Sequence, residues 1–263
     1  IIPFKLDCSM KIKDKVTQYY PNAQTGTEVT ETYLALLEKE YKTDLKKMLF
    51  ATSVCSDDVN VSTDFRRVLS RPFTMGGLGG LPYAGFTGMV AFSHHIPDGG
   101  DAFIFYGPHI GITDEGELGR MRRIGQERIT NSCGALMLTL ERFKRSELMP
   151  AYTPLNMYYD TQQYQLEQSL MPYKHEILTA KHQNKTITDF AYSVIDYQLK
   201  YIVAMAAKEF SCDRIFLLGG VVINTSEEYN DYVDVRNFDV INLKDKGDNH
   251  PLSILTSEAF KKL

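Results

Sequence analysis

Between Thr27 and Lys47 the apolar residues Val29, Tyr33, Leu36, Leu37 and Tyr41 recur at helical spacing with Lys and Glu between them, which predicts an amphipathic helix. The compact run from Met48 to Val54 suits a buried strand and leads straight into Cys55. Thr87 to Ser93 reads as a short helix and Ala102 to Tyr106 as a second apolar strand. The helical pattern that opens at Cys133 reaches about Lys144, with Asn131 or Ser132 as its N-cap. Two further helices are predicted over Gln162 to Leu178 and Thr188 to Glu209, the latter with Phe190, Val194, Tyr197, Tyr201 and Met205 on one face. Arg214 to Asn224 is a third strand, in which Gly219 and Gly220 mark a bulge or a close approach of backbones, and Asp231 to Val240 adds an edge strand. Strands separated by helices imply an α/β fold with a mostly parallel central sheet flanked by helices. No repeat or Ser/Gly linker divides the chain, so residues 1–263 are read as one domain with an N-terminal helical extension over about residues 1–47.

Composition narrows the partners. The net charge of −4 comes without any Lys/Arg block, so nucleic acid is not an expected partner. The most apolar run, Ala102 to Ile112, falls short of the roughly 20 residues a membrane helix needs, and no signal segment opens the chain. A soluble, cytoplasmic protein is expected, with a removed targeting segment left open by the first residue, Ile1. Cysteines at 8, 55, 133 and 212 are too few and scattered for a disulfide scaffold and form no C-x-x-C pair. In a reducing compartment they are core fillers, nucleophiles or metal ligands.

Parallel sheets carry their chemistry at the carboxyl ends of the strands. The first strand ends in Cys55-Ser56-Asp57-Asp58, the second in Gly107-Pro108-His109, and the next helix opens with Ser132-Cys133-Gly134 after an insertion bearing Arg120, Arg122 and Arg123. If the two strands are neighbours, Cys55, His109 and Cys133 meet at one sheet edge. Two thiolates and an imidazole suit Zn²⁺, and three protein ligands leave a fourth position for water. The competing reading makes Cys55 and Cys133 small buried hydrophobes. His95, at a helix end before Pro97 and Asp98, competes with His109 for the ligand place or serves as a proton carrier. Asp57 is placed facing the metal and Asp58 as a neighbour that bonds backbone amides. The Gly-rich run 76–85 has neither a G-x-x-x-x-G-K-[ST] nor a clean G-x-G-x-x-G pattern. Its Leu78, Leu81, Pro82, Tyr83 and Phe86 are read as an apolar wall for a small uncharged molecule.

At these residues the chain resembles a known family. Cys55 to Asn60 (CSDDVN), Gly76 to Gly85 (GGLGGLPYAG), His95 to Asp98 (HIPD), Tyr106 to Gly111 (YGPHIG), Ser132 to Ala135 (SCGA) and Leu218 to Thr225 (LGGVVINT) are similar, in order, to the limiting-CO2-inducible protein B (LCIB) family. The resemblance implies a β-carbonic-anhydrase-like fold, a homodimer, and zinc held by Cys55, His109 and Cys133. It implies reversible hydration of CO2 to bicarbonate by zinc-bound hydroxide, with Asp57 orienting the nucleophile and a backbone amide of Gly77 to Gly80 holding the bicarbonate oxygen. Ordinary β-carbonic anhydrases pair the aspartate of a Cys-x-Asp-x-Arg motif with the arginine two positions on. Here that position is Val59, so the partner of Asp57 comes from elsewhere, Arg123 or Arg120 before Arg66 or Arg67. Arg123 is taken with Asp57 as the catalytic pair. Two alternatives stand beside this enzyme: a non-catalytic scaffold that handles CO2 or bicarbonate, and a thiol-dependent enzyme using Cys133 and His109.

Overall fold

The computed structural model describes residues 4–58, 72–123, 125–149, 159–244, 250–257 and 260, with side chains from Ile12 onward. Its strands are β1 (Gln24–Thr25), β2 (Leu49–Val54), β3 (Phe73–Thr74), β4 (Ala102–Gly107), β5 (His109–Gly111), β6 (Arg120–Arg122), β7 (Ile129–Asn131), β8 (Arg214–Asn224), β9 (Tyr232–Asn242) and β10 (Leu252–Ser253). Its α-helices are α1 (Phe4–Tyr19), α2 (Gly26–Tyr41), α3 (Gly85–Ser93), α4 (Gly134–Arg145), α5 (Thr161–Leu170), α6 (Lys174–Thr179) and α7 (Gln183–Ala206).

The main sheet runs β1-β9-β8-β4-β2-β3, with β10 on β9 and β5 on β8. β3, β2, β4, β8 and β5 are mutually parallel, and β9 joins β8 antiparallel. Alternation of side chains explains why β4 is buried throughout. Ile104 and Tyr106 enter the cluster formed with α3, α4, α5 and α7, while Phe103 and Phe105 pack on the other face against Tyr33, Leu36 and Leu37 of α2. A third cluster packs Ile12 and Val16 of α1, with Tyr20 just after it, on Ile110, Val221 and Ile223. No described helix is long and apolar enough to cross a membrane.

Several predicted elements shift for identifiable reasons. The helix expected over Gln162 to Leu178 is two helices, α5 and α6, separated by a 3₁₀ turn at Met171–Tyr173, because Pro172 lacks the amide a continuous helix requires. α7 begins five residues before Thr188, and its α-helical part stops at Ala206. Its buried face is Ile187, Ala191, Ile195, Leu199 and Val203, so the predicted stripe through Tyr197, Tyr201 and Met205 is the exposed side. β9 is no edge strand, since β1 and β10 cover the side that β8 leaves open. α2 stops at Tyr41 on Lys42 in the left-handed region, short of Lys47.

At its other end α2 carries a capping box: the Thr25 hydroxyl accepts from Glu28 N–H at 3.2 Å, and the Glu28 carboxylate accepts from Thr25 N–H at 2.8 Å. Thr25→Ala is expected to cost about 1 kcal/mol. Urea unfolding would show this as a lower midpoint at constant m-value, and an unchanged midpoint would contradict it.

The register of β8 shifts between Gly219 and Gly220, at the predicted bulge. Beside it Gly107 has φ +150°, and a Cβ there would lie 1.7 Å from the Gly220 carbonyl oxygen. Only glycine fits this crossing. β4 therefore stops at Gly107, the chain steps over at Pro108, and His109 resumes pairing with the same partner strand opposite Val222.

Candidate metal centre

Val54 and Gly107 are register partners, so β2 and β4 end at the same level of the sheet. Cys55 is the first residue beyond β2, His109 the first residue of β5, and Cys133 the residue on which α4 is capped. Their donor atoms all lie within 4.8 Å of one another, and among the described residues they form the group of Cys, His, Asp and Glu placed to hold a metal ion. The two sulfurs are 3.3 Å apart, and all three residues are at most 1% exposed. Gly79 N–H donates to the Cys55 sulfur at 3.2 Å. The His109 Nδ1 bonds Asn224 Oδ1 at 2.7 Å, while its buried Nε2 makes no hydrogen bond among the described residues.

The electrostatics of this cluster ask for a cation. The hydrogen bond with Cys133 and burial push the Cys55 thiol up, whereas the same bond, against burial, brings the Cys133 thiol down with help from amides of the first turn of α4. Burial works against a charged His109, but Cys55 and Asp58 outweigh it and raise its pKa to about 9. Protons thus neutralise a buried, electron-rich set of ligands, the part a divalent ion takes when thiolates and a neutral imidazole bind it. Sulfurs on a tetrahedral zinc sit about 3.8 Å apart, so the pair needs to open by about half an ångström. The residues fit a metal ion.

Asp57 stands at the edge of this cluster, with Oδ2 4.0 Å from His109 Nε2. Arg123 grips it with both terminal nitrogens, Nη1 to Oδ1 at 3.0 Å and Nη2 to Oδ2 at 3.0 Å, and Gly134 N–H adds a bond of 3.1 Å. Burial pushes the carboxyl up, but the Gly134 amide and Arg123 outweigh it and hold it below its ordinary value. Arg123 is braced in turn by the Thr130 hydroxyl and the Asn131 carbonyl. Arg120 instead pairs with Glu117, at 3.1 Å, and bonds the Ile129 carbonyl. Val59, Arg66 and Arg67 lie outside the described residues.

Other assignments change. His95 is exposed, bonds the Ala91 carbonyl at 2.6 Å and lies beside Phe73, where the chain leaves α3 for the start of β4. His95 is not among the residues whose donor atoms gather with Cys55 and Cys133, and His109 takes that place. Phe86 is 43% exposed and does not join the apolar wall. The amides of Gly77 to Gly80 are engaged: they donate to the Leu81 carbonyl, Gln162 Oε1, the Cys55 sulfur and the Gly77 carbonyl in turn, which leaves none to hold a bicarbonate oxygen. Close packing is the reason for glycine here, since a Cβ on Gly80, at φ +90°, would lie 2.6 Å from the Gly107 carbonyl oxygen. Among the bonds of Asp58 is one it accepts from Asn224 Nδ2 at 3.1 Å. Asn224 itself escaped sequence reasoning; the signal was an amide closing an otherwise apolar strand.

A mostly parallel α/β sheet whose carboxyl edge gathers two cysteines and a histidine around a possible metal position defines a β-carbonic-anhydrase-like protein. The family model of limiting CO2-inducible proteins B/C beta carbonic anhydrases matches residues 24–242, and the chain belongs to this family. Among solved structures, PtLCIB4, described as a homolog of the limiting CO2-inducible protein LCIB, is 28% identical, with 91% of this chain and 98% of that one covered and a TM-score of 0.82. A mutant of PtLCIB4 matches at 26% identity over 95% and 100% of the two chains, with a TM-score of 0.83. LCIB itself, at 18% identity over 90% and 96% and a TM-score of 0.64, shares the fold. No curated protein matches the chain.

Proposed function

We propose that this chain is a zinc-dependent carbonic anhydrase that interconverts CO2 and bicarbonate, working as a homodimer. The observation that carries the reading is the conjunction at one sheet edge of Cys55, His109 and Cys133 with an ionised Asp57 clamped by Arg123. Bound by the three ligands, Zn²⁺ would supply a water acidic enough, with a pKa near 7, to serve as nucleophile at neutral pH. The chain's own residues do the rest. Asp57, kept as a carboxylate by Arg123 and Gly134, can only accept, so it takes a hydrogen bond from the attacking water and turns a lone pair toward the carbon of CO2. The grip of Arg123 also keeps Asp57 from swinging in as a fourth ligand. Its side chain is 30% exposed, which gives the released proton a way to solvent or buffer. Leu81 and the half-buried Leu78 give the neighbouring loop an apolar side suited to an uncharged substrate.

Complete burial of Cys133, with its sulfur against Cys55, weighs against the thiol-dependent alternative. For the dimer, Tyr197, Tyr201 and Met205 leave an apolar strip on α7 that is 71%, 57% and 53% exposed. The test is metal analysis, stopped-flow CO2 hydration and light scattering on one preparation. One zinc per chain, a rate well above buffer and a mass of two chains are expected. A zinc-replete protein without turnover would assign the scaffold role instead, and a zinc-free protein with a rapidly alkylated thiol would restore the thiol enzyme.

A further inference from the structure

Asn224, the last residue of β8, lies between the metal centre and two acids, the buried Asp58 and the half-buried Asp231. Its Nδ2 donates to Asp58 Oδ1 at 3.1 Å and to Asp231 Oδ2 at 3.1 Å, and its Oδ1 meets His109 Nδ1 at 2.7 Å. A carboxylate accepts and does not donate, so Asp58 at this nitrogen fixes which way the amide faces, and Asp231, whose carboxyl burial raises to about 7, adds to the lock in its ionised form. The oxygen must then look at the imidazole, and an amide oxygen can only accept. Hence in the neutral ring, the form that binds a metal, Nδ1 of His109 carries the proton and the lone pair is on Nε2, the buried nitrogen that no described residue hydrogen-bonds. Ser132 Oγ, at 3.5 Å from Nδ1, is too far to impose this choice. Asp231 is anchored independently, since its Oδ1 accepts from Thr225 N–H at 2.9 Å and its carbonyl from Gly26 N–H at 2.9 Å.

We infer that Asn224 is the positioning residue of the metal centre: locked by Asp58 and Asp231, it selects the tautomer of His109 and aims Nε2 at the ion. The role rests on the metal reading above and adds a residue that never touches the metal. Supporting hydrogen bonds of this kind are worth about 10- to 100-fold in metal affinity.

Histidine-labelled protein loaded with Zn²⁺ should show, in long-range proton–nitrogen spectra, a His109 ring with metal on Nε2 and a proton on Nδ1. His109→Gln identifies the signals. Competition with a chelator should show Asn224→Leu binding Zn²⁺ about 10- to 100-fold more weakly than the wild type. Asp231→Asn, which removes one lock and leaves Asn224 in place, should lose a few-fold by the same rule. Metal on Nδ1 in the wild type, or unchanged affinity in a folded Asn224→Leu, overturns the role of Asn224 while leaving the metal site standing. If Asn224→Leu does not fold, Asp231→Asn decides, and full affinity with unaltered His109 signals overturns the proposal. A wild type that binds no Zn²⁺ fails at the first measurement and removes the metal reading together with it.

Discussion

Cys55→Ser, Cys133→Ser and His109→Ala are each expected to take bound zinc from one ion per chain to almost none, while His95→Ala leaves it unchanged. The argument is one of ligand count and burial. Three donors within 4.8 Å form the whole protein share of the site among the described residues, so two cannot hold the ion against water and chelator. Serine keeps the volume of cysteine but offers a hydroxyl that stays protonated at neutral pH. The loss should therefore exceed the roughly 10- to 100-fold that removal of a supporting bond costs. His95 is the control because it is a histidine just beyond the end of α3 that is exposed and bonded to Ala91. Inductively coupled plasma mass spectrometry after gel filtration reads the result. Full zinc retention in His109→Ala, together with loss in His95→Ala, would transfer the ligand role to the exposed histidine and dismantle the site.

The second large effect is on turnover. Asp57→Asn should keep zinc and fold but lower CO2 hydration by about 10²-fold, about 2.7 kcal/mol in the barrier. An amide in that place can present a donor to the attacking water, and it gives Arg123 no charge to grip. Arg123→Gln should cost less, about tenfold on the same scale, because Gly134 N–H still holds the carboxylate. Asp58→Asn separates the two acids. Asp58 bonds the side chain of Asn224 and acts on the centre through it, so its loss should appear in zinc affinity and leave the turnover of zinc-saturated enzyme close to normal. Stopped-flow rates normalised to bound zinc measure all three. Normal turnover in Asp57→Asn, or equal losses from Asp57→Asn and Asp58→Asn, would remove Asp57 from the chemistry.

The parts of this molecule that could be read in sequence are those whose signal is local. β2, β4 and β8 are runs buried on both faces, and a parallel sheet gives such runs a plain apolar signature. Cys55 and His109 stand out because each follows such a run, and Cys133 because it opens the amphipathic helix α4. Short strands are a different matter: β1, β3 and β5 are two or three residues long, too few for any period to show. β9 looked like an edge strand because two-residue strands, β1 from about 200 residues upstream and β10 from just downstream, cover its open side and are too short to show a pattern. The face of α7 was misread because its apolar residues exceed one stripe, and only packing shows which stripe the sheet takes. Asn224 and the grip of Arg123 on Asp57 depend on contacts across 115 and 66 residues, which no pattern along the chain encodes.

The step at Pro108 means that β8 serves as a ruler for the centre. β4 and β5 are laid end to end along it, so the position of the imidazole is counted off in residues from Tyr106 opposite Gly219 to His109 opposite Val222. Side chains alternate along a strand, so one residue added or removed between these marks would turn His109 toward the opposite side of the sheet, and two would carry it about 6 to 7 Å along it. The stretch between the histidine and Cys133 obeys no such count. Gly111 bonds Ser132 and Gly119, and Ser132 bonds Gly119, so the base of the insertion is pinned close to both ligands. Beyond that pin, the turn from Thr113 to Glu117 can change length without moving either one. The centre thus tolerates variation in a segment that sits between two of its ligands in sequence and forbids it in a segment that merely leads up to one.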